Sequence, residues 1–248
     1  MSRLLVACLS LLLASCAALR TPTVPMPFVF HPAPSGDPRG LVVLLPGRGD
    51  VPEDFERHGV VKMVHDADPS LDVIAVDAHL GYYRARTLVE RLHADVIGPR
   101  LARHGKVWLV GVSLGGLGAL AYTYENRDAV AGLVLMAPFL GDDVPGEVAA
   151  AGGLVPWVAP DVLHEPDDAR RRFVLLWTLL RGYATAPDTV PPLWLGHGDQ
   201  DYLREAAQLV GPFLPDGRYR VAPGAHRWSV WQPLFAELLP AALGADVR

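Results

Sequence analysis

Cysteine is almost missing from this chain. There are two, Cys8 and Cys16, and both fall within the first sixteen of 248 residues. From Ala17 onward there is no thiol, which excludes a disulfide framework and a cysteine nucleophile for the body of the protein. Clustered charge is missing too. Twenty-two basic and 27 acidic residues leave a net charge of −5, with no run of five basic residues. Nucleic acid is therefore not an expected partner, because proteins that bind it neutralise phosphates with grouped lysine and arginine. No apolar run reaches the roughly twenty residues of a transmembrane helix. Glycine (24) and proline (23) show no Gly-X-Y period and fall short of a low-complexity bias. What the chain does have is apolar residues: half the sequence is hydrophobic and a fifth is charged. That composition excludes disorder, and the length suits one α/β domain.

The N-terminus reads as an address. Arg3 supplies a positive charge, Leu4 to Leu13 is an almost unbroken apolar run, and Ala14-Ser15 are small. Residues 1–15 therefore fit a secretory signal peptide. Leu13-Ala14-Ser15-Cys16 resembles the lipobox of bacterial lipoprotein signals, which implies lipidation of Cys16 and a membrane partner through that anchor. The alanine after Cys16 resembles that of lipoproteins sent to the outer membrane, so the expected location is the cell envelope, facing the periplasm. Residues 16–27 hold Pro22, Pro25 and Pro27, and alternating prolines favour an extended tether between cysteine and domain.

Residues 28–248 alternate apolar strands with helical stretches. Leu41–Leu45, Leu71–Val76, Lys106–Val110, Val130–Ala137, Leu193–Gly196 and Tyr219–Val221 read as strands. The continuous apolar ones suit a parallel sheet buried on both faces. Phe55–Asp66, Arg84–His104, Leu114–Tyr124, Tyr202–Val210 and Trp228–Leu243 read as helices. The order predicts an α/β fold, a mainly parallel sheet with helices on both faces, with an antiparallel strand near Phe28–Phe30 at its start. Residues 141–192 form an insertion far longer than ordinary connections, expected as a lid or cap.

Gly111-Val112-Ser113-Leu114-Gly115 matches G-x-S-x-G, directly after a strand and directly before a helix. Chemistry demands this context. A sharp turn lifts the serine hydroxyl off the sheet, glycines give the turn room, and the helix N-terminus favours developing negative charge. With this motif in place, the chain resembles the α/β-hydrolase family over nearly all of Phe28–Leu243. Pro46-Gly47-Arg48-Gly49-Asp50 stands where the family carries its oxyanion-hole loop, though proline replaces the histidine often found there. Gly196-His197-Gly198-Asp199-Gln200-Asp201 follows the penultimate strand, and His226 follows the last.

The resemblance implies Ser113 as nucleophile, His226 as base and Asp201 as the acid that orients the imidazole. Asp199, and then Asp142 or Asp143, stand in reserve as the acid. It also implies an oxyanion hole from the backbone N–H groups of Leu114 and Arg48, and no cofactor. The expected substrate is a small ester or thioester with an apolar acyl part. Trp157, Phe173, Leu176, Trp177, Trp228, Trp231, Tyr82 and Tyr83 are candidates for its walls, and Asp77, His79 and Trp228 for direct contact.

Rival readings remain. Gly116-Leu117-Gly118-Ala119-Leu120-Ala121 matches G-x-G-x-x-A, but lies inside a helix that three strands precede, without the acidic residue a dinucleotide site needs. His197, Asp199 and Asp201 have an alternating spacing that a metal would accept, but no second cluster completes a site, so no metal is expected. A non-catalytic binding lipoprotein with this fold, or a peptidase or amidase with the same residues, stays open.

Overall fold

The structure is a computed structural model that describes residues 20–244. The signal peptide and Cys16 lie outside the described residues. Seven strands form one sheet in the order β1-β3-β2-β4-β5-β6-β7: β1 Phe28–His31, β2 Gly40–Leu45, β3 Leu71–Val76, β4 Val107–Val112, β5 Val130–Met136, β6 Leu193–Gly198 and β7 Tyr219–Ala222. β1 runs antiparallel to β3, pairing Phe28 with Val76, and every other pair is parallel. The apolar runs of β2, β3 and β4 are buried on both faces. Alternate residues feed two cores, Leu41, Val43 and Leu45 on one side and Val42 and Leu44 on the other. This is the two-fold period of a pleated strand between two helical layers.

The helices are α1 Glu53–Arg57, α2 Val60–Ala67, α3 Leu80–Ala85, α4 Leu88–Arg91, α5 Gly98–His104, α6 Leu114–Glu125, α7 Val144–Ala150, α8 Asp168–Thr185, α9 Arg204–Val210 and α10 Trp228–Leu243. Apolar residues of α2 and α10 fill one core, and those of α6, α8 and α9 fill the other. Two expected helices are interrupted. Gly59, at φ 77°, separates α1 from α2, and Arg86, at φ 60°, separates α3 from α4. Left-handed backbone cannot continue a right-handed helix. A π-helical stretch, Leu92–Ile97, joins α4 to α5. Pro99 has no N–H to give the Asp95 carbonyl, and the Arg100 guanidinium reaches back to the carbonyls of Asp95 and Val96.

Residues 20–27, expected as part of a free tether, are docked on the domain instead. The Arg20 guanidinium bonds both carboxylate oxygens of Asp77, the Thr23 N–H donates to the Tyr82 hydroxyl at 3.1 Å, and the Met26 N–H donates to Asp95 at 2.8 Å. Met26 is buried in the core. The extended proline-rich backbone leaves these N–H groups free to pair with the domain. Among the described residues, no helix is long and apolar enough to cross a membrane.

The 141–192 segment folds as α7 and α8. The apolar face of α8 (Val174, Leu176, Trp177, Leu180) is buried in the core, and the Trp177 indole donates to the Leu140 carbonyl at 2.8 Å. Most of α8 is thus one of the helices that cover the sheet. Only α7 and the residues before it border the serine.

Candidate active site

Ser113 follows the last residue of β4 at φ 51° and ψ −113°. A serine in this sparsely populated backbone region stores strain and must be held from several sides. Its N–H donates to the Met136 carbonyl at 2.9 Å, and its carbonyl accepts from Phe139 at 3.0 Å. Space is scarce around the turn. A Cβ on Gly111 would meet the Gly115 carbonyl oxygen at 2.6 Å, and one on Gly115 would run into the backbone of Leu45 and Pro46. The G-x-S-x-G spacing is therefore a steric requirement of this turn.

The loops after β6 and β7 bring two further groups to Ser113. His226 Nε2 lies 2.9 Å from Ser113 Oγ, and His226 Nδ1 lies 2.9 and 3.0 Å from the two carboxylate oxygens of Asp201. Asp201 is fully buried and Ser113 nearly so. The Asp201 carboxylate also accepts the Leu203 N–H at 2.8 Å. Asp199 has different work. Its carboxylate accepts the Gly224 N–H at 2.7 Å, stapling the β6 loop to the loop that carries His226. Asp142 and Asp143 are exposed, Asp142 on the cavity wall, and the His226 ring bonds Asp201 instead.

The three residues of the metal reading do not converge. His197 is buried, with Nδ1 donating to the Gly198 carbonyl and Nε2 accepting from the Tyr219 hydroxyl. Among the described residues no group of three His, Cys, Asp or Glu side chains could hold a metal ion. The glycines of the G-x-G-x-x-A match are packing residues. A Cβ on Gly116 would meet Pro138 at 2.6 Å, and one on Gly118 would meet the Tyr83 hydroxyl at 2.5 Å.

Arg48 and Leu114 both line a cavity of about 880 Å³ that contains Ser113. Neither backbone N–H has a backbone acceptor among the described residues, so both are available to a ligand oxygen. Leu114 is the first residue of α6, where the free N–H groups and helix dipole favour negative charge. Its carbonyl accepts from the Tyr83 hydroxyl at 2.9 Å, which ties α3 to the first turn of α6. Burial pushes the Tyr83 hydroxyl far up, so it stays a donor. The remaining walls are mainly apolar: Leu80, Phe139, Leu140, Pro145, Ala149, Leu203 and Leu209. Tyr202 stands at the mouth, largely exposed, its ring 4.6 Å from that of His226.

Asp77, His79 and Trp228 are not among the lining residues, contrary to expectation. Asp77 holds Arg20, His79 caps α3 by accepting the Gly81 N–H at 3.1 Å, and Trp228 donates to Asp50. Trp157, Leu176, Trp177, Trp231 and Tyr82 are core residues. Phe173 and Tyr83 line a separate cavity of about 370 Å³ among α3, α4, α6 and α8. The walls missed from sequence, Phe139 and Leu140 above all, sit just past the carboxyl end of β5. That is where ligands bind in open α/β sheets, and the rule would have found them.

The model of the "Alpha/beta hydrolase family" matches residues 42–247. Among solved structures, the chain is similar to a putative non-heme bromoperoxidase, BpoC, from Mycobacterium tuberculosis (16% identity, 92% of this chain and 98% of that one, TM-score 0.59). It is also similar to Est1E from Butyrivibrio proteoclasticus (20% identity, 87% and 92%, TM-score 0.56). A third is an S-formylglutathione hydrolase, FrmB, from Staphylococcus aureus (17% identity, 84% and 82%, TM-score 0.55). No curated protein matches the sequence. At these identities the structural likenesses speak for the fold alone. The family match, spanning most of the chain and including Ser113, Asp201 and His226, shows that this protein belongs to the alpha/beta hydrolase family.

Proposed function

We propose that the protein is a serine hydrolase that cleaves a carboxylic ester or thioester through an acyl-enzyme on Ser113. One observation carries the reading: the unbroken hydrogen-bond path from Ser113 Oγ through His226 to the buried Asp201 carboxylate. A serine hydroxyl attacks a carbonyl only when a base takes its proton, and here that base is His226 Nε2. Asp201 holds the tautomer that leaves Nε2 free to accept, and it stabilises the imidazolium that forms. The N–H groups of Arg48 and Leu114 would receive the developing oxyanion, each donor being worth about 3 kcal/mol. His226 then returns the proton to the leaving alcohol or thiol, and a water repeats the sequence to release the acid. The apolar cavity walls favour an apolar acyl group. Lipidation at Cys16 would add a membrane anchor, with only Ala17–Leu19 between it and the docked Arg20.

The test is turnover of short and long acyl p-nitrophenyl esters together with fluorophosphonate labelling. Ser113→Ala is expected to abolish labelling and lower turnover by about 10⁴-fold or more. Asp201→Asn should cost about 10⁴-fold in kcat through the wrong tautomer. Asp199→Ala, which loses one staple, should cost about tenfold, the equivalent of one ordinary hydrogen bond. A folded wild-type protein that neither labels nor turns over any ester removes the enzyme reading and leaves the binding lipoprotein. Turnover of amides ahead of esters would make it an amidase.

A further inference from the structure

The residues after β2 form a tight turn. The Asp50 N–H donates to the Gly47 carbonyl at 3.2 Å, and Gly49 sits at φ 92°, the left-handed position that such a turn reserves for glycine. This turn places Arg48 on the cavity that contains Ser113, yet Arg48 and Gly49 are both exposed. Its side-chain tie to the rest of the molecule runs through Asp50. The Asp50 carboxylate folds back over the turn, so close that a Cβ on Gly47 would lie 2.8 Å from Oδ2. Its other oxygen accepts the indole N–H of Trp228 at 3.3 Å.

Trp228 is the first residue of α10, two positions beyond His226. Its ring is held on several sides: His58 stacks on it at 4.3 Å and nearly parallel, Phe55 meets it edge-on at 5.6 Å, and Trp231 lies at 5.5 Å. Trp231 in turn stands edge-on to the His226 ring at 4.8 Å. A single indole therefore joins the turn that presents the oxyanion donor to the helix that seats the base. Burial raises the Asp50 carboxyl above the usual carboxylate range; the Trp228 bond lowers it, and the charge of Asp54 raises it further. A half-buried carboxylate is costly unless its hydrogen bonds are specific.

We propose that Asp50 and Trp228 form a latch that sets the oxyanion turn at its working distance from Ser113 and His226. Both are positioning residues; neither lines the substrate cavity. The latch rests on the serine-hydrolase reading above, and it assigns Trp228 a role other than substrate contact. A displaced donor harms the transition state and leaves ground-state binding nearly untouched, so the signature is a loss in kcat at constant KM.

The experiment compares wild type, Asp50→Ala, Asp50→Asn, Trp228→Phe and the double variant Asp50→Ala/Trp228→Phe. It measures p-nitrophenyl ester kinetics, fluorophosphonate labelling rate and thermal midpoint. Asp50→Ala and Trp228→Phe are each expected to lower kcat and labelling rate about tenfold, with KM within about twofold, as befits a misplaced but present donor. The double variant should fall no further than the worse single one, because both remove the same bond. Asp50→Asn keeps an acceptor oxygen and should regain most of the rate. The latch is overturned if KM rises at constant kcat, if the two losses multiply, or if Asp50→Ala and Trp228→Phe change the thermal midpoint alone. A wild-type enzyme that labels and turns over esters, with every variant at its rate, removes the latch and leaves the hydrolase reading standing. A wild type that does neither removes both.

Discussion

Two glycine-bearing regions border the same cavity and follow opposite rules. In the elbow, a Cβ at Gly111, Gly115, Gly116 or Gly118 would collide with a neighbour, and for Gly111 and Gly115 that neighbour is backbone. In the 141–192 segment, a Cβ on Gly146 or Gly153 would meet nothing within 4 Å. The elbow is specified atom by atom, because a strained serine has to be wedged between two strand ends and a helix. The segment after β5 is specified mainly by apolar pattern, with Gly152 and Gly153 kept by left-handed backbone at φ 89° and 112° rather than by lack of space. Gly141 and Gly182 are its sterically crowded glycines, and they sit where the segment packs, against Phe173 and Val190. Site geometry thus lives on the rigid sheet edge, and the segment supplies walls.

The sharpest way to break this contrast is Gly115→Ala. The added methyl would press on the backbone of Leu45 and Pro46, which no rotamer change relieves. The expected destabilisation is about 5 kcal/mol or more, the exceptional end of single-residue effects. It should appear in urea unfolding, or as a failure to recover folded protein. A variant with the wild-type unfolding midpoint would mean that the elbow has slack.

Next comes a pair within the other region. Trp177 on α8 is fully buried and donates to Leu140, so Trp177→Ala is expected to cost about 3–5 kcal/mol. Val158, in the loop between α7 and α8, is 82% exposed, and Val158→Ser should stay within about 0.5 kcal/mol. Equal effects at the two positions would remove the division of this segment into a core helix and a surface loop.

The same contrast explains what could be read from the sequence. The bounds of β3 and α10 match those expected from the sequence, β3 as a buried apolar run. The elbow was legible because sterics leave so few residue types for it. Ser113, Asp201 and His226 could be named because each stands at a strand end in a fixed order, and the structure brings them within hydrogen-bond distance of one another. The choice of Asp201 over Asp199 comes from the family resemblance, and the structure gives Asp199 a different partner: it turns to Gly224. Cavity walls were illegible. An apolar side chain reads the same whether it faces a sheet or a ligand, so the sequence offers Trp177, a core residue, as a wall and passes over Phe139. The breaks at Gly59 and Arg86 were missed because helical periodicity carries no record of a single left-handed residue. The docking of Arg20–Pro27 was missed because prolines predict extension, and extension is equally compatible with a free tether and with a strand-like strap.

The smallest expected effect is the most telling for α7. Gly146 lies within this helix and on the cavity wall, at a backbone angle open to any residue, with open space where a methyl would go. Glycine inside a helix costs about 0.5–1 kcal/mol relative to alanine, through the freedom it keeps in the unfolded chain. Gly146→Ala should therefore raise the thermal midpoint by about 1–3 °C at this chain length. It should do so with little change in kcat, since the cavity is wide. A fall in the midpoint would mean that α7 spends time in another conformation, one that needs the glycine. A rise in the midpoint accompanied by a drop in kcat would mean that α7 must loosen during turnover, as a working lid does. A rise with turnover unchanged would leave α7 as a fixed wall, and the segment after β5 would then be scaffold throughout.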